Sequence, residues 1–131
     1  MRDGAKAKRV FAAEGVEPPE TILAEVGNPS SLRAMASRAI VVLNLVGPYM
    51  LYGKSVIEAC VDAGCHYVDL TGEIPFVRRM NEAFDARARA AGVKIVQVCG
   101  VAALPPDLGI ALAAEAAAAD GHPFTAQPRA C

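Results

Sequence analysis

Much of what commonly assigns a function is missing from this sequence. Charge is nearly balanced, with 13 Lys and Arg against 14 Asp and Glu for a net −1, so nothing draws it to a nucleic-acid backbone. No apolar run reaches the ~18 residues that cross a bilayer. The longest, Ala39–Val46 and Leu108–Ala119, are interrupted by Asn44 and Glu115, so no transmembrane segment is expected. Met1–Arg9 is basic, but Val10–Glu20 is not a continuous apolar run, and no signal segment is expected either.

Cysteine is sparse: Cys60, Cys65, Cys99 and Cys131 match neither a zinc pattern nor a disulfide framework. Cys60 and Cys99 sit in apolar patterns, where a free thiol behaves as a small core side chain, and a reducing intracellular compartment fits. No metal is expected: Cys60, Cys65 and His66 have no second ligand pair, His122 stands alone, and zinc needs four convergent ligands. There is no G-x-G-x-x-G after a first strand, no G-x-x-x-x-G-K-S/T loop and no G-x-S-x-G elbow.

What is present is alternation. The chain has 131 residues, 53% of them hydrophobic, enough for one small domain with a core. Ala5–Glu14 reads as a helix stopped by Gly15. Thr21–Val26 is a short strand candidate. Gly27-Asn28-Pro29 turns the chain into a helix over Leu32–Ser37, with Ser30 or Ser31 as cap. Ala39–Val46 is the clearest strand, rich in branched aliphatics and too short for a core helix. Lys54–Ala63 is an amphipathic helix with Gly64 as its left-handed stop. Cys65–Leu70 is a strand. Phe76–Ala91 is a helix in which Phe76, Met80, Phe84 and Ala88 recur every four residues, with Arg78–Glu82 and Asp85–Arg89 as i,i+4 ion pairs. Val93–Cys99 is a strand, and Asp107 opens a last helix running to about Ala119. The expected fold is therefore α/β: a partial Rossmann-like parallel sheet of about four β/α units.

In such sheets ligands bind in loops past the carboxyl ends of the strands, and the informative residues cluster there. Val46-Gly47-Pro48-Tyr49 is either a plain strand-to-helix turn or a loop that lets a cofactor approach the backbone. Asn44, polar within a buried strand, needs a partner and either pins the adjoining loop or touches ligand. Asp69 and Glu73 could serve as acid and base or bind hydroxyls; the plainer reading has Thr71 capping the next helix and Glu73 favouring its positive end. Asp107 most simply caps the last helix. Tyr49, Asp69 and Glu73 are the only catalytic candidates, and no catalytic residue is assigned.

At these residues the chain resembles the saccharopine dehydrogenase-like oxidoreductases, including the trans-acting enoyl reductases. Val41–Cys60 (VVLNLVGPYMLYGKSVIEAC), His66–Glu73 (HYVDLTGE) and Cys99–Gly109 (CGVAALPPDLG) are similar, in order and spacing, to the family's N-x-V-G-P-Y strand end, D-x-S/T-G-E strand end and G-F-D-S-x-P-x-D-L-G loop. The resemblance implies a Rossmann domain binding NADP or NAD, with Val46, Gly47 and Pro48 on the cofactor-side loop and Asn28 near the adenine end. It also implies a second α/β domain in full-length members, a small-molecule or lipid substrate, a role in lipid or glycolipid metabolism, and a cytoplasmic, mitochondrial or lipid-droplet setting.

Two departures shape the expectation. The family's first strand, glycine fingerprint and second strand have no counterpart, which removes the pyrophosphate anchor, and the family Phe-Asp-Ser is replaced by Val101-Ala102-Ala103. Met1–Ala119 is thus expected to be an incomplete NAD(P)-binding domain and Asp120–Cys131 an irregular tail. The chain alone should bind NADPH weakly or not at all. The alternative is a truncated, inactive relative or an interaction module. An unpaired apolar strand edge should favour self-association.

Overall fold

The computed structural model describes residues 4–122. Eight elements follow in order: α1 (Gly4–Ala13), α2 (Pro29–Ala36), β1 (Val41–Asn44), α3 (Tyr49–Ala63), β2 (His66–Asp69), α4 (Ile74–Ala91), β3 (Ile95–Val96) and α5 (Leu104–Ala119). The strands form one parallel sheet in the order β1-β2-β3. Val42 sits opposite Tyr67 and Asn44 opposite Asp69, while Tyr67 sits opposite Ile95.

The two crossover helices stop where glycine can adopt positive φ. Gly64 (φ 70°) follows α3 and Gly92 (φ 66°) follows α4, and each donates its N–H back into the last turn of its helix. Between them the helices bury Val56, Ile57, Cys60 and Val61 of α3 and Phe76, Met80, Phe84 and Ala88 of α4, with Tyr67 of β2. Gly53 leaves room for Phe76 of α4: a methyl there would lie 2.4 Å from Cζ of the Phe76 ring. Because side chains alternate along a strand, Val42, Tyr67 and Ile95 face this core. Val41, Leu43 and Val96 face the other way and are exposed. Across the helix pair, Arg87 reaches Asp62 at 2.8 Å and Glu58 at 3.5 Å.

The α/β class with a parallel sheet agrees with the sequence reading, but the described residues contain three strands rather than four. Thr21–Val26 forms no strand. Ser31 holds its end: the Glu25 N–H donates to Ser31 Oγ at 3.0 Å. The cap of α2 is Asn28, whose Oδ1 accepts the Ser31 N–H, rather than either serine. Asp107 does not open α5, which begins at Leu104 and carries Asp107 in its first turn. Of the two expected pairs on α4, Asp85–Arg89 forms at 2.9 Å, whereas Arg78–Glu82 is not among the ion pairs of the described residues. Most of the expected tail lies outside the described residues. No described helix is long and apolar enough to cross a membrane.

The expected strand over Val93–Cys99 shortens to two paired residues for a local reason. In the regular parallel ladder Tyr67 N–H donates to Lys94 O, so two residues further on the return bond to Asp69 O should come from Val98. It comes from Cys99 instead, at 2.9 Å. Val98 is the extra residue of a bulge, with φ 63°, and its N–H turns to the Asp69 side chain at 3.1 Å.

Candidate functional site

The carboxyl ends of the three strands are joined by one buried polar network. Tyr67, fully buried in β2, donates its hydroxyl to Asp69 Oδ2 at 2.9 Å and accepts from Asn44 Nδ2 at 3.1 Å. Asn44 Oδ1 accepts the Val46 N–H at 3.1 Å, and Asn44 O accepts the Tyr49 hydroxyl at 3.0 Å. Asn44 thus pins the loop after β1 from both sides, as one of its two sequence readings held. Tyr49, Asn44, Tyr67 and Asp69 are each at most 6% exposed.

Asp69 is the hub. Its Oδ1 accepts the N–H groups of Thr71 and Val98 at 3.1 Å each, and its Oδ2 takes the Tyr67 hydroxyl and a 3.5 Å contact from Gln97 Nε2. A carboxylate this buried persists because donors replace its lost water. The same saturation leaves no oxygen free for acid–base work on a ligand. Burial pushes the Tyr67 phenol up, with the neighbouring Asp69 charge adding to it. Tyr49 is raised chiefly by burial as well.

Glu73 lies at the start of α4 but serves another helix. Its Oε1 accepts the Tyr49 N–H and its Oε2 the Met50 N–H, both at 2.8 Å. These are free donors of the first turn of α3, where a negative charge is stabilising. Pro48 precedes them and offers no side-chain acceptor, so a carboxylate 24 residues away in sequence supplies the cap. Thr71 holds Glu73 in place by accepting its N–H at 3.0 Å. Sequence reasoning gave Glu73 a helix N-terminus and missed which one; no local pattern signals a cap across the sheet.

Val46, Gly47 and Pro48 remain exposed beside this network, joined by a cis Gly47–Pro48 bond. A Cβ on Gly47 would meet only ordinary contacts with the Tyr49 ring. Asn28 stands apart at the start of α2, and none of its hydrogen bonds reaches that loop. Two further residues carry no signal in the sequence: Gln97, whose buried Oε1 has no partner, and the bulged Val98. Among the described residues no group of three or more His, Cys, Asp or Glu could hold a metal.

An exposed loop at a strand end and an unpartnered acceptor can receive a ring with hydrogen-bonding substituents. The N-terminus of α3 offers an anion no free amides, because Glu73 already fills it.

Comparison with known proteins gives the cofactor by family. Residues 1–96 match the family model of the saccharopine dehydrogenase NADP binding domain. The chain is 37% identical over 103 residues to a protein of Arabidopsis thaliana named probable mitochondrial saccharopine dehydrogenase-like oxidoreductase, covering 76% of this chain and 23% of the relative. It is 44% identical over 89 residues to a trans-acting enoyl reductase of Mycobacterium tuberculosis, covering 68% of this chain and 21% of the relative. It spans about a quarter of the length of such relatives. Among solved structures, apo saccharopine dehydrogenase (L-Glu forming) of Saccharomyces cerevisiae superposes with a TM-score of 0.73 at 17% identity, over 92% of this chain and 25% of that one. That likeness is one of fold.

Proposed function

We propose, for a chain that belongs to the saccharopine dehydrogenase NADP-binding domain family, that it carries the nicotinamide side of the NADP(H) site of an oxidoreductase. The observation that carries this reading is the division of labour at the strand ends. Glu73 spends the α3 N-terminus on an internal carboxylate, while Val46, Gly47 and Pro48 stay open beside it. A phosphate would meet repulsion there; a nicotinamide ring, neutral when reduced and cationic when oxidised, would not.

The residues of this chain bind and orient. Val46–Pro48 offer a backbone surface held rigid by Asn44 and Glu73, and Asn28 is proposed for the adenine end. Asp69, Tyr67 and Asn44 keep the three strand ends in one register and move no proton, since their polar atoms are engaged with each other. The nicotinamide, when bound, supplies the two-electron chemistry. The substrate in this reading is a small molecule or lipid, in keeping with relatives named enoyl reductases, and the mitochondrial setting in one relative's name is extended to this chain on the same footing.

A second reading, an interaction module without activity of its own, is favoured by one feature. Val41, Leu43 and Val96 on the open sheet face and Leu108, Ile110 and Leu112 on α5 are all exposed. Self-association through the free edge of β1 belongs to this reading.

The test is an NMR titration of the isotope-labelled chain with NADPH up to millimolar concentration. The expected result is weak, saturable binding with amide shifts at Val46, Gly47, Tyr49 and Met50. Shifts confined to α1 or α5 would refute the assignment.

A further inference from the structure

Two unpaid local costs fall side by side at the end of β3. Val98 holds φ 63°, a conformation that a β-branched residue adopts only under constraint. Its neighbour Gln97 keeps a buried amide oxygen with no donor, although buried side-chain acceptors are ordinarily satisfied. Neither cost is needed to hold the sheet: β3 ends at Val96, and Cys99 rejoins the ladder through Asp69 O. A regular strand would pair Val98 with the Asp69 carbonyl and dispense with the bulge. The chain instead spends an Asp69 oxygen on keeping the bulge, and bulges recur beside ligand sites because they re-aim side chains.

The place also fits, since Gln97 and Val98 follow the carboxyl end of β3, the end of the strands at which open α/β sheets bind ligands. Gln97 is held there loosely. Its Nε2 touches Asp69 Oδ2 at 3.5 Å, at the outer limit of a hydrogen bond, and the terminal amide torsion of glutamine is soft. Re-aiming the amide toward a ligand therefore gives up one long contact, and its oxygen has no partner to lose.

We infer that Gln97 accepts a hydrogen bond from the N–H of a bound ligand, and that the Val98 bulge exists to present it. In a nicotinamide cofactor the only N–H donor on the reacting ring is its carboxamide. The inference rests on the NADP(H) reading and names the group that orients the ring.

The experiment compares the wild-type full chain with Gln97→Met, and with Gln97→Leu as a second isostere, against two ligands. NADP carries the carboxamide; its acetylpyridine analogue carries a methyl ketone with no N–H. The expected result is about a tenfold loss of NADP affinity in the variants, the worth of one hydrogen bond. The analogue should change less than about twofold. Thermal unfolding of the ligand-free variants should occur at or above the wild-type temperature, because an unsatisfied buried oxygen has been removed. Equal losses for both ligands, unchanged NADP affinity, or a lower unfolding temperature in both variants would overturn the inference. Wild type that binds neither ligand would instead overturn the NADP(H) reading, and this inference with it.

Discussion

Replacing Tyr67 by phenylalanine removes one oxygen from the centre of the strand-end network and nothing else. That oxygen accepts from Asn44 Nδ2 at 3.1 Å and donates to Asp69 Oδ2 at 2.9 Å. Asn44 is 5% exposed and Asp69 fully buried, so water cannot take its place. A buried donor left without a partner costs about 1–3 kcal/mol, and a hydrogen bond to a charged group contributes about 1.5–3 kcal/mol. The two losses share one atom and partly overlap, so the expected destabilisation is about 3 kcal/mol. For a chain of this size that lowers the unfolding temperature by roughly 10 °C. Urea denaturation followed by far-UV circular dichroism gives the free energy, and calorimetry the temperature. Tyr52→Phe, at a side chain 40% exposed, is the control and should stay within about 0.5 kcal/mol of wild type. If Tyr67→Phe also stays within about 0.5 kcal/mol, the network is not what holds the strand ends together.

Gly53→Ala should destabilise by about 1–3 kcal/mol despite a helix-propensity gain of up to about 1 kcal/mol. The new methyl meets Phe76 Cζ at 2.4 Å and Cε2 at 2.9 Å, and that ring is fully buried; chemical denaturation checks it. Stability should fall steeply above about pH 9. Burial pushes the Cys60 thiol from its ordinary 9.0 up to about 12 and raises Tyr67 above its ordinary 10.0. Between the ordinary and raised values the unfolded chain has lost protons that the folded chain keeps, so each pH unit favours unfolding. Urea midpoints across pH 8 to 11 check the sign. Native thiol titration with a disulfide reagent should modify Cys99 readily and leave the buried Cys60 and Cys65 protected until denaturant is added.

Much of the fold was legible because it rests on periodicity. Phe76, Met80, Phe84 and Ala88 recur every four residues and are all buried on α4, and Gly64 and Gly92 end their helices with positive φ. The β1 strand was visible as a branched aliphatic run. Thr21–Val26 has the composition of a strand but forms none, because composition alone does not set a ladder. The shortening of β3 was invisible for a different reason: Val-Lys-Ile-Val-Gln-Val-Cys has uniform β character, and the bulge at Val98 is imposed by an Asp69 oxygen from another strand. The site shows the same division. Asn44 announced itself as a polar residue in an apolar run, and pinning was one of its two readings. Asp69 and Glu73 were recognisable as important carboxylates, but their roles as hub and cap depend on amides more than 20 residues away. No sequence window contains such a pairing.

In the function proposed above, this chain grips the nicotinamide end of the cofactor. Titrating the labelled chain separately with nicotinamide mononucleotide and with the adenosine bisphosphate half of NADP tests it most directly. The account predicts that the mononucleotide binds within about tenfold of NADPH itself (roughly 1.4 kcal/mol) and shifts the amides of Val46, Gly47 and Gln97. An adenosine half that reproduces the full NADPH affinity, with those amides unmoved, would contradict it.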